Sequence, residues 1–337
     1  MKIVVPMAGR GSRLRPHTLT VPKPLVPVGG KPIVHRLVED IAAICTEPIE
    51  EVGFIIGDFG EQVEKDLIAV AEQIGAKGKI YYQDKPLGTA HAVNCAKDML
   101  NGPVVVAFAD TLFKADFKIN PEDDGILWVK QIEDPSAFGV VKMDNNGRII
   151  DFVEKPQTFV SDLAMIGVYY FKKAEDLQKE LKYLMDNDII KGGEYQLPDA
   201  LRRLTEKGSV FRPGKVTEWL DCGNKTVTVH TNQRVLEHDA AKNVKLIHDS
   251  TKLINSVVVP PCFIGENAVL ENCIVGPHVS IGANSELKNA VVSNSIIQHK
   301  TKVENTVIAN SMIGSSVNYI EKAQNLSIGD FTTIDNK

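Results

Sequence analysis

After about Glu237 the sequence stops showing helical spacing and begins to repeat short aliphatic groups separated by Gly, Asn and Ser. The groups are Val257-Val258-Val259, Phe263-Ile264-Gly265, Val269-Leu270, Ile274-Val275-Gly276, Val279-Ser280-Ile281-Gly282, Val291-Val292, Ile296-Ile297, Val307-Ile308 and Met312-Ile313-Gly314. Their spacing is close to six residues. A chain that returns an aliphatic side chain inward at this interval fits a left-handed parallel β-helix with three short flats per coil and small polar residues at the corners. The alternative is a β-sandwich of short strands. The repeat persists over four or more coils without hairpin turns, which favours the β-helix.

The preceding two-thirds alternate instead between strand-like and helix-like segments. Lys2–Pro6 reads as a strand, and 33–44 has helical spacing through Leu37, Ile41 and Ile44. The runs EVGFII at 51–56 and PVVVAFA at 103–109 are nearly all apolar, as expected of strands buried on both faces. Helical segments are expected at 61–74 and 89–100, with a strand at 79–83 between them. This βαβα order argues for an α/β domain around a parallel sheet. Asp144-Asn145-Asn146-Gly147 is a turn signal between strands 139–143 and 148–153, so a hairpin is expected there. With 337 residues the chain has length for two domains, taken as 1–240 and 241–337.

Net charge is −5, which gives no reason to expect nucleic acid or an anionic membrane as a partner, since those need a basic face. The five cysteines are widely spaced and include no CxxC pair, so reduced thiols in a cytoplasmic protein are expected rather than a disulfide framework or zinc site. No run of 18 apolar residues suggests a membrane span. Pro6 interrupts the apolar N-terminus too early for a signal peptide.

Chemistry concentrates directly after the first strand, in Met7-Ala8-Gly9-Arg10-Gly11-Ser12-Arg13-Leu14-Arg15-Pro16. Glycines let backbone N–H groups approach anionic oxygens, and open α/β sheets place ligands at the carboxyl ends of strands. The segment is neither GxGxxG, since Leu14 takes the third position, nor a Walker loop. Pro22-Lys23-Pro24-Leu25 follows, where flanking prolines are expected to hold Lys23 extended as a fixed charge for a phosphate. Asp110 closes the apolar run 103–109; a carboxylate there suits Mg²⁺, which takes one or two carboxylates plus substrate phosphates. A turn-capping role is its alternative.

The string GxGSRLRPxTxxxPKPLxPVxxKP resembles the sugar nucleotidyltransferase family, which includes glucose-1-phosphate thymidylyltransferases and UTP–glucose-1-phosphate uridylyltransferases. The resemblance runs to about residue 235 and implies a mostly parallel, Rossmann-like sheet with flanking helices in a catalytic domain over 1–240. It implies nucleotide contacts from Ala8, Gly9, Gly11, Ser12 and Arg13, and base recognition by Gln83, Pro86, Gly88 and Thr89. Gly139, Glu154, Lys155 and Gly167 resemble the sugar-phosphate side, with Lys155 on the phosphate and Glu154 on sugar hydroxyls. Asp221 resembles a second metal carboxylate, with capping of the next helix as its alternative. Pro198 stands where the family's E-x-x-L-T-D-A segment has Thr, so a hydroxyl contact there is in doubt.

The implied reaction joins an NTP, UTP or dTTP favoured, to a sugar 1-phosphate, glucose 1-phosphate favoured, releasing pyrophosphate. Arg13, Lys23 and Lys155 are the expected catalytic residues. Alternatives are a GTP–mannose-1-phosphate guanylyltransferase, a bifunctional enzyme whose β-helix transfers an acyl group, and a non-catalytic regulator that binds nucleotide sugar. His91, His278 and His299 are read as structural. The β-helix is expected to mediate homo-oligomerisation through exposed apolar area.

Overall fold

The computed structural model describes residues 1–337 except 10, 117, 323, 324 and 335–337. Arg10 of the glycine loop and the last three residues of the expected second domain therefore lie outside the described residues. The chain divides into two compact units: Met1–Pro27 with Lys31–Thr228, and Val28–Gly30 with Val229–Lys337.

The first unit is built on a nine-stranded sheet. Strand Lys2–Pro6 is central to its parallel half, pairing with Glu51–Ile56 on one side and Val104–Ala107 on the other, while Lys77–Tyr82 adds beyond Glu51–Ile56. The expected hairpin forms between Gly139–Met143 and Ile149–Glu154. Its turn is closed by Asp144, whose Oδ1 accepts from the backbone N–H groups of Asn146 (2.8 Å) and Arg148 (2.9 Å). The expectation of a mostly parallel sheet is corrected. Strand Leu163–Phe171 runs antiparallel to Val104–Ala107 and to Gly125–Gln131, and Ile149–Glu154 runs antiparallel to Phe211–Lys215. A parallel neighbour needs a long crossover; between 107 and 171 the described chain contains strands but no α-helix, so this half folds back on itself.

Helix α1 (Ile33–Ile44) forms because Ile33, Leu37, Ile41 and Ile44 fall on one face, and all four are buried. Helix α2 covers Glu61–Gln73, and α3 covers Thr89–Cys95. The helix expected over 89–100 ends at Cys95, and a 3-10 turn takes over at Lys97–Met99. Helices α4 (Ala174–Asp186) and α5 (Leu197–Glu206) pack their apolar stripes into a core that includes Val4, Val106, Leu127 and Phe152. No helix among the described residues is long and apolar enough to cross a membrane.

Helix α6 (Lys225–Ala241) contains the division between the units. The second unit then stacks short parallel strands in an arrangement that fits a parallel β-helix. One flat stacks Lys252–Ile254, Val269–Glu271, the start of Glu286–Ser293, the start of Lys302–Ala309, and Asn318–Ile320. A second aligns Val257, Ile274, Val291 and Val307. The third aligns Cys262–Ile264, Val279–Ile281, Ile296–Ile297 and Met312–Ile313. Inside the coils sit Leu270, Leu287 and Val303 from the first flat, Val275 and Val292 from the second, and Ile264, Ile281 and Ile297 from the third. Corners are held by asparagine. Asn255, Asn272, Asn289 and Asn305 all adopt positive φ, which Asn tolerates better than most residues. Each passes a side-chain hydrogen bond to the next: 2.7 Å from Asn255 to Asn272, 3.2 Å to Asn289 and 2.9 Å to Asn305.

In this same unit the turn Val28–Gly30 is tied to α6. Asn232 is fully buried and its Oδ1 accepts from the Gly29 N–H (2.8 Å) and the Ser280 hydroxyl (2.7 Å). Gly30 (φ +81) admits no side chain, since a Cβ there would lie 2.3 Å from the Phe263 ring.

Candidate active site

The loop after Lys2–Pro6 begins by continuing the sheet: the Met7 N–H donates to the Ile55 carbonyl at 2.8 Å. It then turns at Gly11, whose φ of +59 and Cβ position, 2.7 Å from Lys23 Cβ, require glycine. The Thr18 hydroxyl closes the loop onto the Gly11 carbonyl at 2.8 Å. Ser12–Leu14 forms one 3-10 turn anchored by buried Leu14. Lys23 is not extended as its prolines suggested. It opens a second 3-10 turn, Lys23–Leu25. Pro24 is compatible with that turn because the first residues of a helix need no internal N–H partner. Lys23 is 7% exposed, and its ammonium lies 3.3 Å from Asp110 Oδ2.

Asp110 and Asp221 approach through a two-stranded ribbon outside the main sheet. Thr111–Lys114 pairs antiparallel with Glu218–Asp221, with Asp221 opposite Thr111, and the Cys222 N–H donates to the Asp110 carbonyl at 3.1 Å. Burial raises the pKa of Asp221. The charge of Asp110 raises it further, while Lys23, the Gly223 N–H and Arg13 oppose the shift. Asp221 Oδ1 accepts that Gly223 N–H at 2.8 Å.

A cavity of about 390 Å³ opens over these groups. Its lining includes Ala8, Gly9, Gly11, Ser12, Arg13, Lys23 and Asp110, together with Gln83, Pro86, Gly88 and Thr89. The lining segment that includes Gly88 and Thr89 is strapped to the segment before α5. The Ala90 N–H donates to the Tyr195 carbonyl (3.0 Å), the Tyr195 N–H to the Leu87 carbonyl (2.8 Å), and the Leu197 N–H to the Thr89 hydroxyl (3.0 Å). Pro198 fits in the first turn of α5, where it costs no hydrogen bond. Gln83 is placed by its backbone, which extends the sheet to the Ile56 carbonyl at 2.8 Å. Its Nε2 lies 3.1 Å from the Gly88 carbonyl and 3.1 Å from His91 Nδ1.

Gly139, Glu154, Lys155, Gly167 and Asp221 are not among the residues lining this cavity, although Gly223 is. Glu154 sits opposite Gly139 in the hairpin, where any Cβ would lie 2.7 Å from Glu154 Oε2. Glu154 is exposed as a residue, yet its carboxyl end is desolvated and its pKa is raised. Lys155 opposes that shift and Glu194, a cavity-lining residue, reinforces it. Buried Tyr169 feels both Glu154 and Asp110 and stacks edge-on against Phe108, which also lines the cavity. Lys155 takes a left-handed conformation (φ +44) with its N–H donated to the Phe138 carbonyl. Gly167 (φ +81) supplies the carbonyl for the Phe108 N–H at 2.9 Å. Glu194, Phe108 and Ala92 were missed as lining residues. Glu194 carried a signal in the E-x-x-L pattern; nothing local marked the other two. His278 is paired with Glu237 at 3.0 Å, and burial lowers the pKa of His299.

Gly9, Gly11, Asp110 and the buried Lys23 thus line one cavity of an α/β unit. Residues 2–238 match the nucleotidyl transferase family, and the chain belongs to it. It is 32% identical over 263 residues to the "Low-salt glycan biosynthesis nucleotidyltransferase Agl11" of Haloferax volcanii, covering 74% of this chain and 70% of that protein. It is 30% identical over 268 residues to a glucose-1-phosphate thymidylyltransferase of Streptomyces griseus, covering 77% and 73%. Its fold is similar to that of a UDP-glucose pyrophosphorylase solved with UDP-glucose. The TM-score is 0.56 at 22% identity, over 70% of this chain and 98% of that one.

Proposed function

We propose that this chain is a sugar-1-phosphate nucleotidyltransferase that uses UTP or dTTP, with glucose 1-phosphate as its favoured acceptor. The observation that carries the reading is the shared cavity. Its lining includes Gly9, Gly11, Arg13, Lys23 and Asp110 together with Gln83 and Gly88. In this reading the triphosphate lies on Ala8, Gly9, Gly11, Ser12 and Arg13, the base meets Gln83, Pro86, Gly88 and Thr89, and the acceptor enters past Gly139, Glu154, Lys155 and Gly167.

A phosphate oxygen of the acceptor attacks the α-phosphorus, forming one P–O bond as the bond to the β-phosphate oxygen breaks. The attacking oxygen is already anionic, so no general base is required and the protein's task is positioning and charge neutralisation. Arg13 and the loop amides hold the departing pyrophosphate, Lys23 the α-phosphate, and Lys155 the acceptor phosphate. Asp110 and Asp221 fit Mg²⁺: each carries negative charge toward the other, and a divalent ion relieves that repulsion. Two carboxylates leave the other positions of such an ion to substrate phosphates and water. Bound there, the ion would neutralise phosphate charge.

Residues 1–240 form the catalytic domain in this reading. Residues 241–337 form a left-handed β-helix through which copies associate. The deciding experiment measures pyrophosphate release with four NTPs against glucose, mannose, galactose and N-acetylglucosamine 1-phosphates. Release from no pair refutes the reading.

A further inference from the structure

Resting on the transferase reading above, we propose that His91 is the positioning residue behind base selection. As a neutral imidazole it fixes the Gln83 amide with its oxygen toward the cavity. The site then takes nucleoside triphosphates whose base carries an imino N–H (uracil, thymine or guanine) and rejects cytosine and adenine.

The argument begins with hydrogen-bond valence. Gln83 Nε2 lies 3.1 Å from the Gly88 carbonyl oxygen. A carbonyl only accepts, so the amide group facing it must be the NH₂. The same Nε2 lies 3.1 Å from His91 Nδ1, which must therefore accept as well. An imidazole that accepts at Nδ1 is neutral and carries its proton on Nε2. Both hydrogens of the Gln83 amide are thereby used. Oε1 has no hydrogen-bond partner among the described residues, and it is not one of the sealed, partnerless atoms. Gln83 lines the cavity together with Gly88 and Ala92, so Oε1 is the atom offered to a ligand.

An acceptor at that point pairs with the imino N–H of a keto base. The corresponding ring nitrogen of cytosine or adenine is itself an acceptor and would face Oε1 without a proton between them. A site built around one hydrogen bond rejects the analogue that leaves it unmade. His91 makes this orientation exclusive. Protonated, its Nδ1–H would oppose the Gln83 NH₂, donor against donor. Turning the amide over would satisfy His91 but set Oε1 against the Gly88 carbonyl, acceptor against acceptor. Burial lowers the His91 pKa and so favours the neutral form. The titratable group beside it is Cys95, whose Sγ is 4.0 Å from Nδ1. Burial, with help from Asp84, raises the pKa of that thiol and keeps it uncharged.

The test uses the full chain, with pyrophosphate release from UTP and CTP against one acceptor, and calorimetric binding of the same two nucleotides. The wild type should prefer UTP. His91→Leu, which removes the acceptor, should cut the UTP:CTP ratio of kcat/KM about tenfold, mainly through KM. His91→Asn puts an amide oxygen near the Nδ1 position and has nothing to protonate. It should restore the ratio, and the rise in UTP KM expected of the wild type at acid pH should be absent. A folded His91→Leu protein with the wild-type ratio overturns the proposal, as does a wild type that prefers CTP. If no NTP turns over, the transferase reading fails, and the binding ratio still decides the role of His91.

Discussion

Two glycines of the cavity should respond in opposite ways to the same added methyl group. Gly88 has φ +108, a conformation that side chains rarely adopt. A Cβ there would lie 2.5 Å from the Tyr195 carbonyl oxygen and 2.8 Å from the Tyr195 nitrogen, where ordinary contact starts at 3.4 Å. Gly88→Ala must therefore open this joint by about 0.9 Å, the difference between 3.4 and 2.5. The hydrogen bonds on either side, at 3.0 and 2.8 Å, would then stretch past bonding range. Their loss costs about 1 kcal/mol each, and the backbone conformation about 1–3 kcal/mol. The total of roughly 3–5 kcal/mol corresponds to a Tm lower by about 10 °C for a unit of this size. Gly9→Ala is the control: its Cβ would meet nothing within 4 Å, so Tm should hold while the methyl intrudes on phosphate. Thermal unfolding together with NTP KM values reads both variants. A Gly88→Ala protein within 1–2 °C of wild type and with unchanged KM would refute the reasoning.

Arg13 lines the cavity and is exposed, so Arg13→Ala should lower kcat by about 100-fold or more and leave the unfolding transition in place. Asp221→Asn should gain stability over wild type as pH rises. Burial raises the folded carboxyl's pKa, so the wild type is favoured at acid pH and loses that stability between the ordinary carboxylate range and the raised value. Unfolding at a series of pH values without added metal checks this; a difference between the proteins that does not change with pH contradicts it. On the stacked parallel strands of the second unit, Val257, Ile274, Val291 and Val307 form an outward stripe exposed by 59%, 49%, 41% and 78%. If copies meet there, Val307→Asp should shift the sedimenting species to monomer, and a monomeric wild type would count against the oligomer.

Local requirements were legible in the sequence; distant pairings were not. The glycine loop was readable because its need is a backbone one, and Gly11 carries the positive φ that only its residue type predicts cheaply. The aliphatic recurrence showed because each side chain points inward alone. Asp221 is different. Its place beside Asp110 depends on a strand pairing across more than a hundred residues, which the residues alone do not encode, so only the family resemblance joined the two in the sequence. The antiparallel pairings of the sheet were lost for a related reason: apolar runs indicate burial but not direction. His91 carried no signal as a partner of Gln83, because the contact needs both the end of one strand and the first turns of α3 to be in place.

The asparagine corners set a unit of length. Successive coils advance by 17 residues from Lys252 to Val269 and from Val269 to Glu286, then by 16 from Glu286 to Lys302 and from Lys302 to Asn318. Because each coil touches mainly the one above and the one below, the solenoid can grow or shrink by a whole coil without repacking the rest. Insertions and deletions here should survive only as packets of 16 or 17 residues, since a partial packet would turn an inward valine outward and strand an asparagine away from its ladder.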